Sequence, residues 1–335
     1  MTAVGRRSEH ARYVDALLAE LALEAGLLAE RPRTVFVGGG TPTFTEPHAL
    51  GRLLEGLPPA DELTVEANPE TLDAGTAAVL RAGGVTRVSV GAQSFQPHLL
   101  AVLERRAGPD DVRRAMHTLR DASFDNISLD LLYGVPGQSA ADLDRDLAEA
   151  LALEPEHLSC YELEAKPGTR FALAHGEALE RQADALEGFF EQVVERLTGS
   201  GYRWYETANF CRSDGESPAR DLRAQHNLAI WRGFDYLGIG VGAVSTVGGL
   251  RWRNAPSLSS YVERLESGQP PSRTLEELDP ATRERERLML GLRLDEPVDV
   301  PVASPSVDDE ALRRLARGGL VHVTEAGGVL RLALT

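Results

Sequence analysis

Hydrophobic spacing along the chain switches repeatedly between a helical and a strand-like period, which is the pattern of strands and helices laid down in alternation. The first segment is helical: Tyr13, Val14, Leu17, Leu18 and Leu21 fall on one face, and Ser8 is placed to cap it. A strand over 34–37 then runs into glycines. The series continues with a strand over 62–66, a helix from Pro69 to Gly83-Gly84, a strand over 86–91, a helix over 110–120 and a strand over 125–131. Ser139 with Asp142 three residues on forms a capping-box pair that opens the next helix, and a strand over 157–163 closes the series. Strands separated by helices pair in parallel, because parallel neighbours need a crossover connection.

After Arg181 the rhythm changes to a long helix ending at Leu197, short strands with turns over 202–253, and helices over 257–265 and 280–292. A helix over 308–317 and a hairpin over 319–332 turning at Gly327-Gly328 suggest a winged-helix-like appendage. The proline-rich PVDVPVASP (297–305) reads as the linker into it.

The strand faces carry the first functional hint. Side chains alternate along a strand, so Asn126, Ser128 and Asp130 oppose Ile127, Leu129 and Leu131; Glu62, Thr64 and Glu66 oppose Leu63 and Val65; and Arg87, Ser89 and Gly91 oppose Val88 and Val90. In an ordinary parallel barrel the inward layer is bulky and apolar. Here the apolar set should face the helices and the polar set the interior. Carboxylates such as Glu66 and Asp130, near the strands' carboxyl ends, then imply a polar ligand or a paired cation. The alternative is an open sheet whose polar face meets solvent and needs no ligand.

Composition narrows the classes. The chain has 335 residues, with 51 acidic against 35 basic side chains for a net charge of -16. A diffuse acidic surface repels nucleic acid and anionic lipid, and no apolar run approaches the ~18 residues of a membrane span. No nucleic-acid partner and no membrane insertion are expected. Only Cys160 and Cys211 occur, and no signal-peptide-like stretch opens the chain, which reads as a cytoplasmic protein without disulfides. Lys166 is the only lysine, a bias that reflects codon usage rather than chemistry.

The sharpest local feature is Val-Phe-Val followed by Gly38-Gly39-Gly40-Thr41-Pro42. Glycines let a ligand approach the backbone, and Pro42 fixes the exit direction. The spacing of a dinucleotide or Walker motif is absent. Taken alone, a glycine turn without a ligand remains the competing reading.

Several motifs in register with one another resemble a known family. VFVGGGTPT (35–43), EANPE (66–70), SVGAQSF (89–95), LERR (103–106) and LDLLYGVPGQ (129–138) are similar to the radical S-adenosylmethionine (SAM) core of the oxygen-independent coproporphyrinogen oxidase family. HNLAIW (226–231), YLGIGVGA (236–243) and LMLGLRL (288–294) look like its heme chaperone branch rather than its oxidase branch. The resemblance implies an α/β fold: a partial (β/α)6 TIM-like barrel with a C-terminal α+β, winged-helix-like region. It divides the chain into a barrel over 1–180, barrel completion and extension over 181–296, and a small region over 297–335. It further implies that Gly39, Gly40 and Thr41 hold the methionine end of SAM, that Glu66, Gln93 and Asp130 bind its polar groups including ribose hydroxyls, and that Arg105 neutralises its carboxylate. His226 matches the family's heme-associated histidine, and imidazole can ligate heme iron axially; a lone histidine is more often structural. Ile230, Val244 and Lys166 stand where the family pattern has tyrosine, histidine and glutamate.

The largest departure concerns the four-iron four-sulfur cluster, which the family holds with Cys-x-x-x-Cys-x-x-Cys just ahead of the first long helix. That triad and the first barrel strand are missing, and Cys160 and Cys211 cannot supply three thiolates. Cys160 reads as buried filler on a strand and Cys211 as an incidental thiol in a loop. The expectation is a start upstream of Met1, with cluster and SAM bound when that segment is present. Three functions follow: a heme chaperone that binds heme and passes it to an acceptor protein, an anaerobic coproporphyrinogen III oxidase, or a non-enzymatic SAM- or heme-binding relative. Turnover of coproporphyrinogen III supports the second, heme binding and transfer without turnover supports the first, and heme uptake by this chain that is lost on His226→Ala supports the third.

Overall fold

The computed structural model describes residues 7–29, 31–212 and 220–335. Helix α1 (Arg7–Leu23) already contains Ser8. The Ser8 side chain lies outside the described part, so its expected capping role does too. Five parallel strands follow in chain order: β1 (Thr34–Val37), β2 (Glu62–Ala67), β3 (Arg87–Gln93), β4 (Ile127–Tyr133) and β5 (His157–Glu162). Helices α2 (Pro47–Gly56), α3 (Ala74–Ala82), α4 (Pro97–Val102), α5 (Pro109–Asp121) and α6 (Ala140–Ala152) make the crossovers. After α7 (Arg170–Gln182) and α8 (Leu186–Gly199), β6 (Tyr202–Glu206) and β7 (Asn209–Arg212) join the same sheet in the order β1-β2-β3-β4-β5-β7-β6, with β7 antiparallel to both neighbours. The result is an open, seven-stranded partial barrel.

The period-2 reading of the strands holds. Val65, Val88, Val90, Ile127, Leu129, Leu131 and Leu158 pack outward against Leu54, Leu80, Leu119, Leu147 and Leu197. The other face carries Glu62, Thr64, Arg87, Ser89, Asn126, Ser128, His157 and Ser159, none more than 7% exposed. The open-sheet alternative therefore fails, because the polar face is enclosed rather than solvated. Registry lines these residues up in rows: Thr64 pairs with Arg87, Ser89 with Ser128, and Ser128 with His157. Burying such groups is costly without partners, and most have them, although Thr64 Oγ1, Arg87 Nε and Asn126 Oδ1 have none among the described residues.

Several local expectations are corrected. Pro69 opens a single 3-10 turn (Pro69–Thr71), and α3 starts only after Asp73, whose carboxylate accepts from Thr76 N at 2.7 Å as its cap. Helices α2 and α4 were not expected; each begins with proline at a first helical position, where the missing N–H costs nothing. The long helix is interrupted by a 3-10 turn at Ala183–Ala185, which separates α7 from α8. The stretch of short strands contains a helix, α9 (Gln225–Trp231), ahead of β8 (Val244–Val247) and β9 (Leu250–Asn254). Cys211 lies on β7 rather than in a loop.

Helix α10 (Leu258–Glu266) and β10 (Arg273–Glu277) complete a three-stranded antiparallel sheet unit, β10-β9-β8. Buried Glu20 of α1 locks onto that unit, accepting from Gly240 N, Tyr261 Oη and Asn254 Nδ2 at 2.8, 2.5 and 2.7 Å. After α11 (Pro280–Gly291), the supposed linker forms β11 (Val298–Pro301), paired with the last strand. Val298 and Val300 alternate into a core with Val321, Leu330 and Leu332, and Pro301 ends an edge strand, where a missing donor is tolerated. Helix α12 (Asp309–Arg317) and the hairpin β12 (Val321–Ala326) and β13 (Val329–Leu334) follow as expected, turning at Gly327-Gly328.

Candidate functional site

The carboxyl ends of β1 to β4 bring the expected SAM residues together. Gly38, Gly39 and Gly40 form an exposed turn after β1, and Gly39 adopts a φ of 83° that favours glycine. Its N–H donates to Glu66 Oε2 at 3.2 Å, joining β1 to the end of β2. A Cβ at Gly38 would lie 2.8 Å from the same carboxylate, so the backbone there must be bare for Glu66 to approach.

A second set is linked through Asn68, just past β2. Its Nδ2 donates to Thr41 Oγ1 at 3.0 Å, while its Oδ1 accepts from Arg105 Nη2 at 3.1 Å. These opposed partners fix the amide orientation. Arg105 also reaches Gly91 O at 3.2 Å on β3. A Cβ at Gly91 would meet Gln93 Nε2 at 2.8 Å and Arg105 Nη2 at 3.3 Å, so this glycine makes room for two candidate ligands of the cofactor. Gln93 itself sits at φ 65°, where the strand register shifts past Gly91. A non-glycine residue held there is strained and turned out of the strand's alternation.

Asp130 of β4 accepts from Ser89 Oγ at 3.2 Å to each oxygen. Burial raises its pKa, opposed by Arg87 and by hydrogen bonds from Ser159, Ser89 and Ser128. Glu66 is raised for the same reason and further by the charge of Asp130, against the Gly39 N–H. A half-buried carboxylate beside a second, buried one favours a ligand that donates hydrogen bonds or carries positive charge.

His226 stands at the amino-terminal end of the sheet, on a cavity that runs along β1 to Gly39, Gly40 and Thr41. Its Nδ1 lies 3.1 Å from Thr34 Oγ1 and its ring stacks on Phe36 at 5.1 Å and 21°. Burial lowers its pKa, which keeps the imidazole neutral and able to ligate metal near pH 7. Nε2 has no hydrogen-bond partner among the described residues. The ring lines a cavity of about 940 Å³ with Tyr13, Leu17, Val35, Val37 and Ile239. Beside it, the outer edge of β1 has no strand partner among the described residues, whereas β6 at the opposite edge is bridged by Leu294 through Glu206.

The chemistry present fits SAM and does not fit an iron-sulfur cluster. Bare glycines, hydrogen-bond acceptors and a guanidinium surround one end of the barrel, whereas Cys160 and Cys211 are buried on sheet strands with burial pushing both thiols up, Cys211 to about 11. No group of three or more potential metal ligands occurs among the described residues. Lys166 is exposed and outside the cavity lining, whereas Ile230 and the exposed Val244 both line the same cavity as His226. Sequence reasoning did not single out Asn68, His157 or Tyr205. Asn68 lay inside a quoted motif, while nothing local marks the other two.

The profile of the Radical SAM superfamily matches residues 5–150. The chain is 37% identical over 292 residues to the heme chaperone HemW of Mycobacterium tuberculosis, covering 84% of this chain and 73% of that protein. It is 32% identical over 314 residues to the heme chaperone HemW of Bacillus subtilis, covering 88% and 80%. The coproporphyrinogen III oxidase (HemN) of Escherichia coli, described as a radical SAM enzyme, superposes with a TM-score of 0.79 at 24% identity, covering 98% of this chain and 80% of that one. Among the described residues no helix is long and apolar enough to cross a membrane.

Proposed function

Because the chain belongs to the heme chaperone HemW family of radical SAM proteins, we propose that it binds heme through His226 and passes it to an acceptor protein in the cytoplasm. The observation that carries this reading is the state of His226: neutral, hydrogen-bonded at Nδ1, stacked on Phe36, without a partner at Nε2 among the described residues, and in the lining of a large, mainly apolar cavity. A porphyrin face needs apolar contact and its iron needs an unprotonated nitrogen, and both are present there.

The polar end of the barrel is the SAM site in this reading. Arg105 pairs with the methionine carboxylate, Glu66 and Asp130 accept from the ammonium and ribose hydroxyls, and Gly39, Gly40, Thr41 and Gln93 line the approach. Held there, SAM would supply radical chemistry only together with a reduced cluster. Among the described residues Cys160 and Cys211 are buried apart from that end and do not form a cluster site. The two buried, unpaired thiols suit a reducing compartment.

The test is a titration of ferric heme into the protein, followed at the Soret band. His226→Ala is expected to remove the histidine-ligand signature and weaken binding at least tenfold, the scale of one lost metal ligand's support. Unchanged spectra and affinity in that variant would overturn the assignment.

A further inference from the structure

Three consecutive backbone N–H groups lead into α9, and the barrel interior accepts all three. Ala224 N donates to Tyr205 Oη at 3.1 Å, Gln225 N to Glu62 Oε2 at 3.1 Å, and His226 N to Glu62 Oε1 at 3.1 Å. The acceptors are enclosed: Glu62 is 6% exposed and Tyr205 fully buried. Tyr205 is fixed in turn. Its oxygen accepts from Ala224, so its single proton goes to His157 Nε2, 2.8 Å away. Burial holds His157 well below its ordinary pKa, so the ring is neutral, its one proton sits on Nδ1, and that proton is donated to Ser128 Oγ at 2.8 Å.

Helix α9 has only seven residues and no side-chain cap from Ala224. A helix that short has no stability of its own, and its place is set by tertiary contacts. We propose that Glu62, Tyr205 and His157 are positioning residues for His226: by fixing where α9 begins, they hold the imidazole in the one orientation that presents Nε2 to the cavity. This rests on the reading of His226 as the heme ligand. Glu62 lies on the same strand as Glu66, so β2 organises both ends of the barrel.

The test compares ferric heme titrations of the wild-type protein, Glu62→Gln, His226→Ala and the double variant. Glutamine keeps the shape but offers one acceptor oxygen, which leaves one of the two N–H groups facing an NH2. Glu62→Gln is expected to weaken heme binding about tenfold and to split the spectrum between histidine-ligated and unligated forms, a scale set by one lost charge-assisted hydrogen bond. In the His226→Ala background the same change should alter residual affinity less than about twofold, because a positioning effect vanishes with the residue positioned. Equal losses in both backgrounds would show a merely structural role and overturn the proposal. Tyr205→Phe should show the same dependence on His226 with a smaller loss, and serves if Glu62→Gln does not fold. Proton NMR of the heme-free protein tests positioning separately from heme ligation: the His226 Hε1 signal should be single in wild type and shifted or doubled in Glu62→Gln. An unchanged signal there overturns the positioning role whatever heme does, whereas heme binding untouched by His226→Ala overturns the heme reading alone.

Discussion

Glu20 provides the most quantitative check on how the two halves of the molecule are joined. Its carboxylate is fully buried and accepts four hydrogen bonds: Gly240 N at 2.8 Å and Tyr261 Oη at 2.5 Å on one oxygen, Asn254 Nδ2 at 2.7 Å and Arg273 Nη2 at 3.3 Å on the other. Glu20→Gln keeps the volume but turns one oxygen into a donor. The least costly orientation keeps the oxygen toward Gly240 and Tyr261, since Asn254 Nδ2 also reaches Gly240 O at 2.9 Å and Arg273 also reaches Glu24 at 2.6 Å. The loss is then two hydrogen bonds, one to a charged donor, or about 2–3 kcal/mol. Glu20→Ala strands Gly240 N and Tyr261 Oη as well and breaks a buried ion pair, for about 3–5 kcal/mol. Urea unfolding followed by tryptophan emission, with Trp252 on β9 beside Arg273, measures both. The expected order is wild type, then Gln, then Ala. If Glu20→Gln falls within 0.5 kcal/mol of wild type, or the two variants lose equally, the view of Glu20 as the lock between α1 and the β10-β9-β8 sheet is wrong.

Asn68→Ala removes the partner that orients both Thr41 and Arg105 and is expected to weaken binding of SAM or S-adenosylhomocysteine about 30-fold or more, the worth of one charge-assisted and one neutral hydrogen bond at about 2 kcal/mol or more together; calorimetry showing wild-type affinity would remove Asn68 from the site. Gly91→Ala presses on the flexible ends of Gln93 and Arg105 rather than on backbone, so it should leave the unfolding midpoint nearly unchanged while lowering SAM affinity at least tenfold. A loss of stability without a loss of affinity would contradict that. His157 is held neutral when folded, with its folded pKa far below the ordinary 6.5. Below that value the unfolded chain binds a proton that the native state refuses, so stability should fall as pH drops under 6.5, by up to about 1.4 kcal/mol per pH unit. Glu66 and Asp130, with raised pKa values, act in the opposite sense, so the His157 contribution is read as the difference in slope between wild type and His157→Gln. Parallel slopes would mean His157 does not stay neutral.

What the sequence revealed about the fold followed from period and caps. Alternation in Ile127 to Leu131 separated core from interior correctly, and the Ser139–Asp142 pair marked the start of α6 with both reciprocal bonds present. Helix α9 was missed because HNLAIW is too short to show a helical period, and β11 because two prolines outweighed the alternation of Val298 and Val300. Pro69 misled for a related reason: a proline after asparagine starts a turn as readily as a helix, and only the Asp73 carboxylate, which accepts from Thr76 N, settles which.

The candidate site divides along the same physical line. Glu66 and Asp130 were legible because a carboxylate on the inner face of a strand is unusual enough to demand a partner, and the glycines only through the motifs in register with them, since a glycine turn after a strand needs no ligand. Asn68, Tyr205 and His157 act by holding something else, and a residue of that kind is defined by what lies opposite it in space. Tyr205 meets His157 across 48 positions of sequence and Gln225 meets Glu62 across 163. No local pattern encodes those separations. They arise because β6 and β7 extend the sheet and bring the following segment back across the amino-terminal end of β2, so the placement of His226 is a property of the spatial arrangement of strands rather than of the motif that contains it.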